Sequence, residues 1–184
     1  MSEIPYVVGL DLSLTSTGIA TIRPDAGIQT VAVESKGKSG DTLYETAERL
    51  ARLVQEITTR IPYGAIVGVE GPSHGNTTGK HHDRSGLWWL VVYELIYLRN
   101  IQVVEISPNT IKKYATGKGN ASKLEVAIAM ARRFPEVEAN SDDEIDALAI
   151  AAIIRRKLGL PLEATLPKVN ASAVDNIQMI PITL

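Results

Sequence analysis

The sequence predicts an α/β fold, a central mixed five-stranded β-sheet flanked by α-helices, and two observations carry that expectation. Three short apolar runs come first, separated by turn-forming residues, which makes them antiparallel neighbours. From Asp41 the period changes, and helical stretches then alternate with two further apolar runs, the order that builds strand-helix units onto the same sheet. At 184 residues the chain suits one domain.

Val7 to Asp11 reads as a strand buried on both faces, and Asp11 is its only charge. Desolvating a carboxylate there is costly unless a cation compensates it, the alternative being that Asp11 caps the following turn through its own backbone. Ser13, Thr15, Ser16 and Thr17 suggest a tight polar turn ending at Gly18, after which Ile19 to Ile22 resume a strand and Gln29 to Val33 form a third. A helix then follows from Asp41, capped by Thr42 or Asp41, with Glu45 completing a capping box. Leu43, Ala47, Leu50, Ala51, Val54 and Ile57 mark its apolar face, which suits a scaffold role. Ala65 to Val69 make a fourth strand that ends at Glu70 and is stopped by Gly71 and Pro72.

Ser73 to Arg84 reads as a polar loop holding His74, Lys80, His81, His82 and Arg84. Adjacent His81 and His82 point apart on most backbones, so Lys80 and Arg84 are read as phosphate contacts or solvated charges, and the histidines not as a zinc site. Leu87 to Leu98, with Trp88, Trp89, Tyr93 and Tyr97, is a helix apolar almost all round, either central core or a dimer face. Ile101 to Ile106 is the fifth strand, and Thr110 to Tyr114 one or two helical turns. Lys112, Lys113, Lys118 and Lys123 form an acid-free basic stretch that opens a helix running to Phe134. Its Gly-Lys-Gly lacks P-loop spacing, which argues against a nucleotide cofactor; a phosphate-backbone site and a solvated loop both remain open. Asn140 to Lys157 is the last helix, and Asp143 and Asp146, three apart, share its apolar side, while Asp142 and Glu144 are first-turn acids pointing elsewhere. Beyond it Pro161, Pro167 and Pro181 interrupt any period, so residues 1–158 are expected to form the domain and 159–184 an extended arm.

Composition narrows the function classes. Charged residues make up 22% and formal net charge is -2, so a nucleic-acid partner rests on local clustering of Lys and Arg. With no cysteine there is no disulfide, thiolate nucleophile or Cys-ligated zinc. The start Met-Ser-Glu-Ile-Pro lacks signal-peptide features and Glu94 breaks the longest apolar run, which leaves no membrane span and the cytoplasm as the expected compartment.

Three apolar elements thus carry acids: Asp11, Glu70 and the pair Asp143 and Asp146. In a single sheet the strand ends at Asp11 and Glu70 lie side by side with the last helix above. Four clustered carboxylates repel unless they hold hard cations, and an oxygen-only set points to Mg²⁺ or Mn²⁺. Two such ions about 4 Å apart form a phosphodiester-cleaving device.

At this point the chain resembles the RuvC-type Holliday junction resolvases of the RNase H-like superfamily, from about Val7 to Arg156. The resemblance is carried by Gly-Leu-Asp-Leu-Ser-Leu-Thr-Ser-Thr-Gly from residue 9, Val-Gly-Val-Glu-Gly-Pro from 67, Ile-Lys-Lys-Tyr-Ala-Thr-Gly-Lys-Gly-Asn-Ala-Ser-Lys from 111, and Asp-Glu-Ile-Asp-Ala-Leu-Ala-Ile-Ala from 143, in that order. It implies an RNase H-like fold, metal binding and catalysis by Asp11, Glu70, Asp143 and Asp146, and DNA contact by Lys112 and Lys123. It also implies a homodimer that nicks opposed strands of a four-way junction, with the Trp88 and Trp89 helix at the dimer face. One departure is that Ser73 and His74 stand where the family often has an aromatic residue after the glutamate, which admits a broader branch, flap or fork nuclease. Asp-x-x-x-Thr-x-x-Gly at 11 to 18 also resembles the first phosphate motif of the actin and sugar-kinase group, which implies an ATP-dependent phosphotransferase. Against that reading, the chain is short for two lobes and has no second glycine-rich phosphate motif. A catalytically silent junction binder of the same fold is the remaining alternative.

Overall fold

The computed structural model describes residues 4–72 and 81–180. Five strands, β1 (Val7–Asp11), β2 (Ser16–Ile22), β3 (Ile28–Glu34), β4 (Ile66–Glu70) and β5 (Gln102–Ile106), form one sheet in the order β3-β2-β1-β4-β5. The β1/β2 and β2/β3 pairs are antiparallel, and β1/β4 and β4/β5 are parallel. The sheet is therefore mixed, as the sequence predicts. Leu10 pairs with Val69, so Asp11 and Glu70 follow side by side at the ends of adjacent parallel strands.

Helix α1 (Leu43–Thr58) and helix α2 (His81–Tyr93), which runs on as a π-helical turn at Glu94–Leu98, cover one face. Helices α3 (Pro108–Thr116), α4 (Lys123–Arg133), α5 (Asp142–Lys157) and α6 (Lys168–Ala171) gather on the other. Thr42 caps α1 in a capping box with Glu45, as its sequence requires. Helix α5 lies close on the sheet because glycines face it. A Cβ on Gly9 would overlap the carbonyl oxygen of Ala147, and one on Gly68 would stand 2.6 Å from Ile150 Cγ2. Successive residues alternate faces, so Asp11 and Glu70, two beyond those glycines, face α5 as well.

Four expectations need correction. The buried stripe of α1 is Arg49, Leu53, Ile57 and Thr58, while Leu43, Ala47 and Ala51 are exposed and only Leu50 and Val54 reach the core edge. A polar residue, Arg49, takes a core-facing place because its guanidinium bonds Ser35 Oγ at 2.8 Å and the carbonyl of Leu14, which leaves the apolar count pointing to the neighbouring face. The stretch from His81 to Arg84 belongs to α2 rather than to a loop. Glu144 is buried, not a wet first-turn acid, because α5 begins against β3, where Thr30 Oγ1 donates to Glu144 at 2.7 Å. Residues 159–180 are not extended: they carry α6 and a 3-10 turn at Ser172–Val174, and Asn170, Ala173 and Val174 are buried. Glu163 holds them down by an ion pair to Arg156 at 3.0 Å.

Candidate active site

Three elements bring the predicted acids to one pocket of about 520 Å³. Asp11 ends β1, Glu70 ends β4, and Asp143 and Asp146 hang from the first turns of α5; all four line it. Lys112 from α3, Lys123 from the start of α4 and Arg84 from α2 line the same pocket. Lys113 and Lys118 do not line it, and Lys80 and His74 lie outside the described residues. Lys118 is exposed on the loop between α3 and α4. The amides proposed for phosphate at the α4 start are partly used, since Ser122 and Glu125 bond each other's backbone in a capping box.

The electrostatics are those of an acidic site with too little positive charge. Burial, reinforced by the neighbouring Glu70 and Asp143 charges, pushes Asp11 up to about 8. Burial and the Asp11 charge push Asp146 up to about 6. Glu70 is also raised, chiefly by burial, although the hydrogen bond donated by protonated Asp11 works the other way. Lys123 offsets all three acids and Lys112 offsets Glu70, without restoring ordinary values. A divalent cation would supply the missing charge, and the oxygen-only donors of these four side chains suit a hard ion such as Mg²⁺ or Mn²⁺. Among the described residues no three acidic or imidazole groups stand together at ligand spacing.

The turn after Asp11 is stapled by its own hydroxyls. Thr17 Oγ1 donates to the Ser13 carbonyl at 2.9 Å and accepts the Ser13 N–H at 3.1 Å. Arg49 secures the same turn from below through the Leu14 carbonyl.

Helix α2 joins to the expected Arg84 three pocket residues that the sequence does not single out, His81, Ser85 and Trp88. All four line the pocket, and their spacing of three, four and seven from His81 is one helical stripe. That stripe is readable in the sequence once the helix is started at His81. Trp88 is half-buried, and its indole N–H donates to the Glu70 carbonyl at 2.9 Å, so this ring belongs to the pocket wall. Trp89, packed edge-on against it at 4.8 Å between centroids, points outward and is 65% exposed.

A second concavity, of about 550 Å³, runs between α1 and α2 and is lined by Ala47, Leu50, Ala51, Val54 and Leu90 among others. Tyr93, Tyr97 and Leu98 lie exposed along the same helix as Leu90. Among the described residues no helix is long and apolar enough to cross a membrane.

Comparison with known proteins finds the family model described as "Crossover junction endodeoxyribonuclease RuvC" matching residues 89–154. The RuvC of Chlamydia trachomatis serovar L2 is 44% identical over 57 residues, a stretch covering 29% of this chain and 34% of that protein. The match thus spans about a third of that relative's length. The RuvC of Zymomonas mobilis is 28% identical over 149 residues, covering 78% of this chain and 86% of that protein. Among solved structures, Thermus thermophilus RuvC aligns with a TM-score of 0.59 at 18% identity over 84% of this chain and 97% of that one. A structure described as T. thermophilus RuvC in complex with Holliday junction substrate aligns with a TM-score of 0.62 at 19% identity, over 85% and 98%. At those identities the structures speak for the fold, which is RNase H-like.

Proposed function

We propose that this chain, which is similar to RuvC proteins over residues 89–154 and, at 28% identity, over 149 residues, is a crossover junction endodeoxyribonuclease, a metal-dependent enzyme that resolves four-way DNA junctions by paired symmetric nicks. The observation that carries this reading is the single pocket shared by Asp11, Glu70, Asp143 and Asp146, with Lys112 and Lys123 on its wall. Asp11, Glu70, Asp143 and Asp146 would hold two Mg²⁺ or Mn²⁺ ions. Such a pair, when bound, activates water for in-line attack on a phosphodiester and stabilises the leaving 3′ oxygen, giving a 5′-phosphate and a 3′-hydroxyl.

The chain's own residues do the rest. Lys123 lines the pocket, where it would offset the charge that rises on the scissile phosphate. Lys112 and Arg84 contact flanking phosphates, with Lys118 and Lys113 extending the basic track outside the pocket. Trp88 keeps the Glu70 backbone in place through its indole and forms part of the pocket wall.

Symmetric nicking needs two such pockets, and we assign the dimer contact to the groove between α1 and α2. There Leu50, Val54 and Leu90, with Tyr93 and Trp89 beside them, leave an apolar surface uncovered. The α2 helix would then serve both ends of the proposal, with Trp88 at the pocket and Trp89 at the dimer face. A DNA substrate supports the reading of the protein as cytoplasmic.

Cleavage of labelled four-way junction, flap, fork and linear duplex by the purified protein in Mg²⁺ tests the reading. Paired nicks on the junction are expected; equal cutting of flaps and forks identifies a general branch nuclease instead.

A further inference from the structure

We infer that the C-terminal segment, through Asn170 of α6, sets the position of the basic loop Gly117 to Lys123 and so acts as a positioning device for DNA contact. The inference rests on the reading of that loop as a phosphate contact.

The last carbonyls of a helix have no partner within it, and α3 ends immediately before the loop. Asn170, 5% exposed, donates its side-chain amide to the Tyr114 carbonyl at 2.9 Å and to the Ala115 carbonyl at 3.2 Å. Arg133, at the end of α4, donates to the same two carbonyls at 3.1 and 2.6 Å. Both ends of the connection are therefore tied together at one point. Gly117 then turns the chain in the left-handed conformation, with φ at +84°. A Cβ there would stand 3.2 Å from Val169 and 3.3 Å from Asn170 Oδ1, so α6 is seated directly on the turn. One residue on, the Lys118 N–H bonds Thr116 Oγ1 at 3.1 Å. Thr116 in turn donates to the Lys112 carbonyl at 2.9 Å, which links the turn to a pocket lysine.

A separate anchor fixes the same segment. The Tyr114 hydroxyl donates to Glu163, whose carboxylate also pairs with Arg156 at 3.0 Å and lies 4.0 Å from Arg133. Packing of Ala173 and Val174 alone would hold the segment to the core. A buried amide aimed at the two carbonyls before the loop does more: it stops the end of α3 from fraying and with it the drift of Lys118.

The test is equilibrium binding of a labelled four-way junction, without divalent ions so that no strand is cut, by Asn170→Ala, Lys118→Ala and the double variant. Each single change is expected to weaken binding by about five- to twentyfold, the worth of one charge-assisted or buried hydrogen bond. The double variant should fall well short of the product of the two, since both act through the same lysine. In Mg²⁺, Asn170→Ala should raise KM and leave kcat at saturating DNA within about twofold. Should Asn170→Ala not fold, Tyr114→Phe removes only the hydroxyl that meets Glu163 and should give a smaller rise in KM of the same kind. Folded Asn170→Ala or Tyr114→Phe with unchanged affinity, beside a weakened Lys118→Ala, overturns the inference and spares the DNA reading; so does a fully multiplicative double variant. Unchanged binding by Lys118→Ala overturns the loop's assignment and the inference with it.

Discussion

Gly18 of β2 lies directly beneath Asp143 of α5: a Cβ on Gly18 would overlap the Asp143 carbonyl and stand 2.8 Å from the Glu144 nitrogen. Gly18 is also the ladder partner of Asp11. The missing side chain therefore seats the helix on the sheet at the level where acids from β1 and α5 share a pocket. Two elements far apart in sequence are set to one height by one residue with no side chain.

Replacing Gly18 by Ala pushes α5 outward. Overpacking of this kind costs about 1 to 3 kcal/mol, and displacement of the α5 acids should slow junction cutting by at least about tenfold. Gly86→Ala is the matched control, since the nearest atom to its Cβ would be Leu50 Cδ1 at 3.8 Å. Denaturant unfolding and single-turnover cutting of both variants check the contrast.

The raised acids make stability depend on pH in a definite sense. Asp11 ionises near 3.8 when unfolded but holds its proton to about 8 when folded, and Asp146 to about 6. Between those limits the unfolded chain binds fewer protons, so stability present below about pH 4 is lost as pH rises towards 8, at up to about 1.4 kcal/mol per pH unit for each such group. In chelator, Asp11→Asn should thus be more stable than wild type at pH 8, and the difference should shrink towards pH 4. Added Mg²⁺ should stabilise wild type and leave Asp11→Asn largely unmoved. Thermal unfolding across pH, with and without Mg²⁺, reads both effects.

Lys112 offsets Glu70 and faces the pocket. Lys112→Ala should weaken junction binding and lower the slope of log affinity against log salt by about one, as loss of one phosphate contact requires. Fluorescence titrations at several salt concentrations measure the slope.

Val54 is half-buried and lines the groove between α1 and α2. Val54→Glu should convert a dimer to monomers with little change in the monomer's fold, which light scattering and circular dichroism distinguish. A dimer that survives this change uses another face.

Much of the architecture was legible because periodicity and punctuation agree. Thr42 with Glu45, and Gly71 with Pro72, mark element ends where the structure has them. The acids were legible because a charge is conspicuous inside an apolar run, as at Asp11 and Glu70. Glu144 escaped for the opposite reason: among Asp142, Asp143 and Asp146 it looks like one more first-turn acid, and only its contact with Thr30 on β3 shows otherwise. Arg49 misled the assignment of the α1 face, since a buried guanidinium that bonds backbone and hydroxyl oxygen carries no apolar signal. The pocket role of Trp88 is hidden in the sequence because the apolar run begins only at Leu87, six residues after the helix does, which separates Trp88 from His81, Arg84 and Ser85 on its stripe. The tail reads as extended because its prolines erase the period, whereas its order comes from Glu163 and Asn170, single polar contacts to distant elements.

The most direct test of the central claim is Asp146→Asn against wild type on a labelled four-way junction in Mg²⁺, with binding measured in parallel. The account predicts that cutting falls by at least about a hundredfold while affinity stays within about threefold, since the acid serves the chemistry and not the grip on DNA. An Asp146→Asn protein that cuts at the wild-type rate would contradict it.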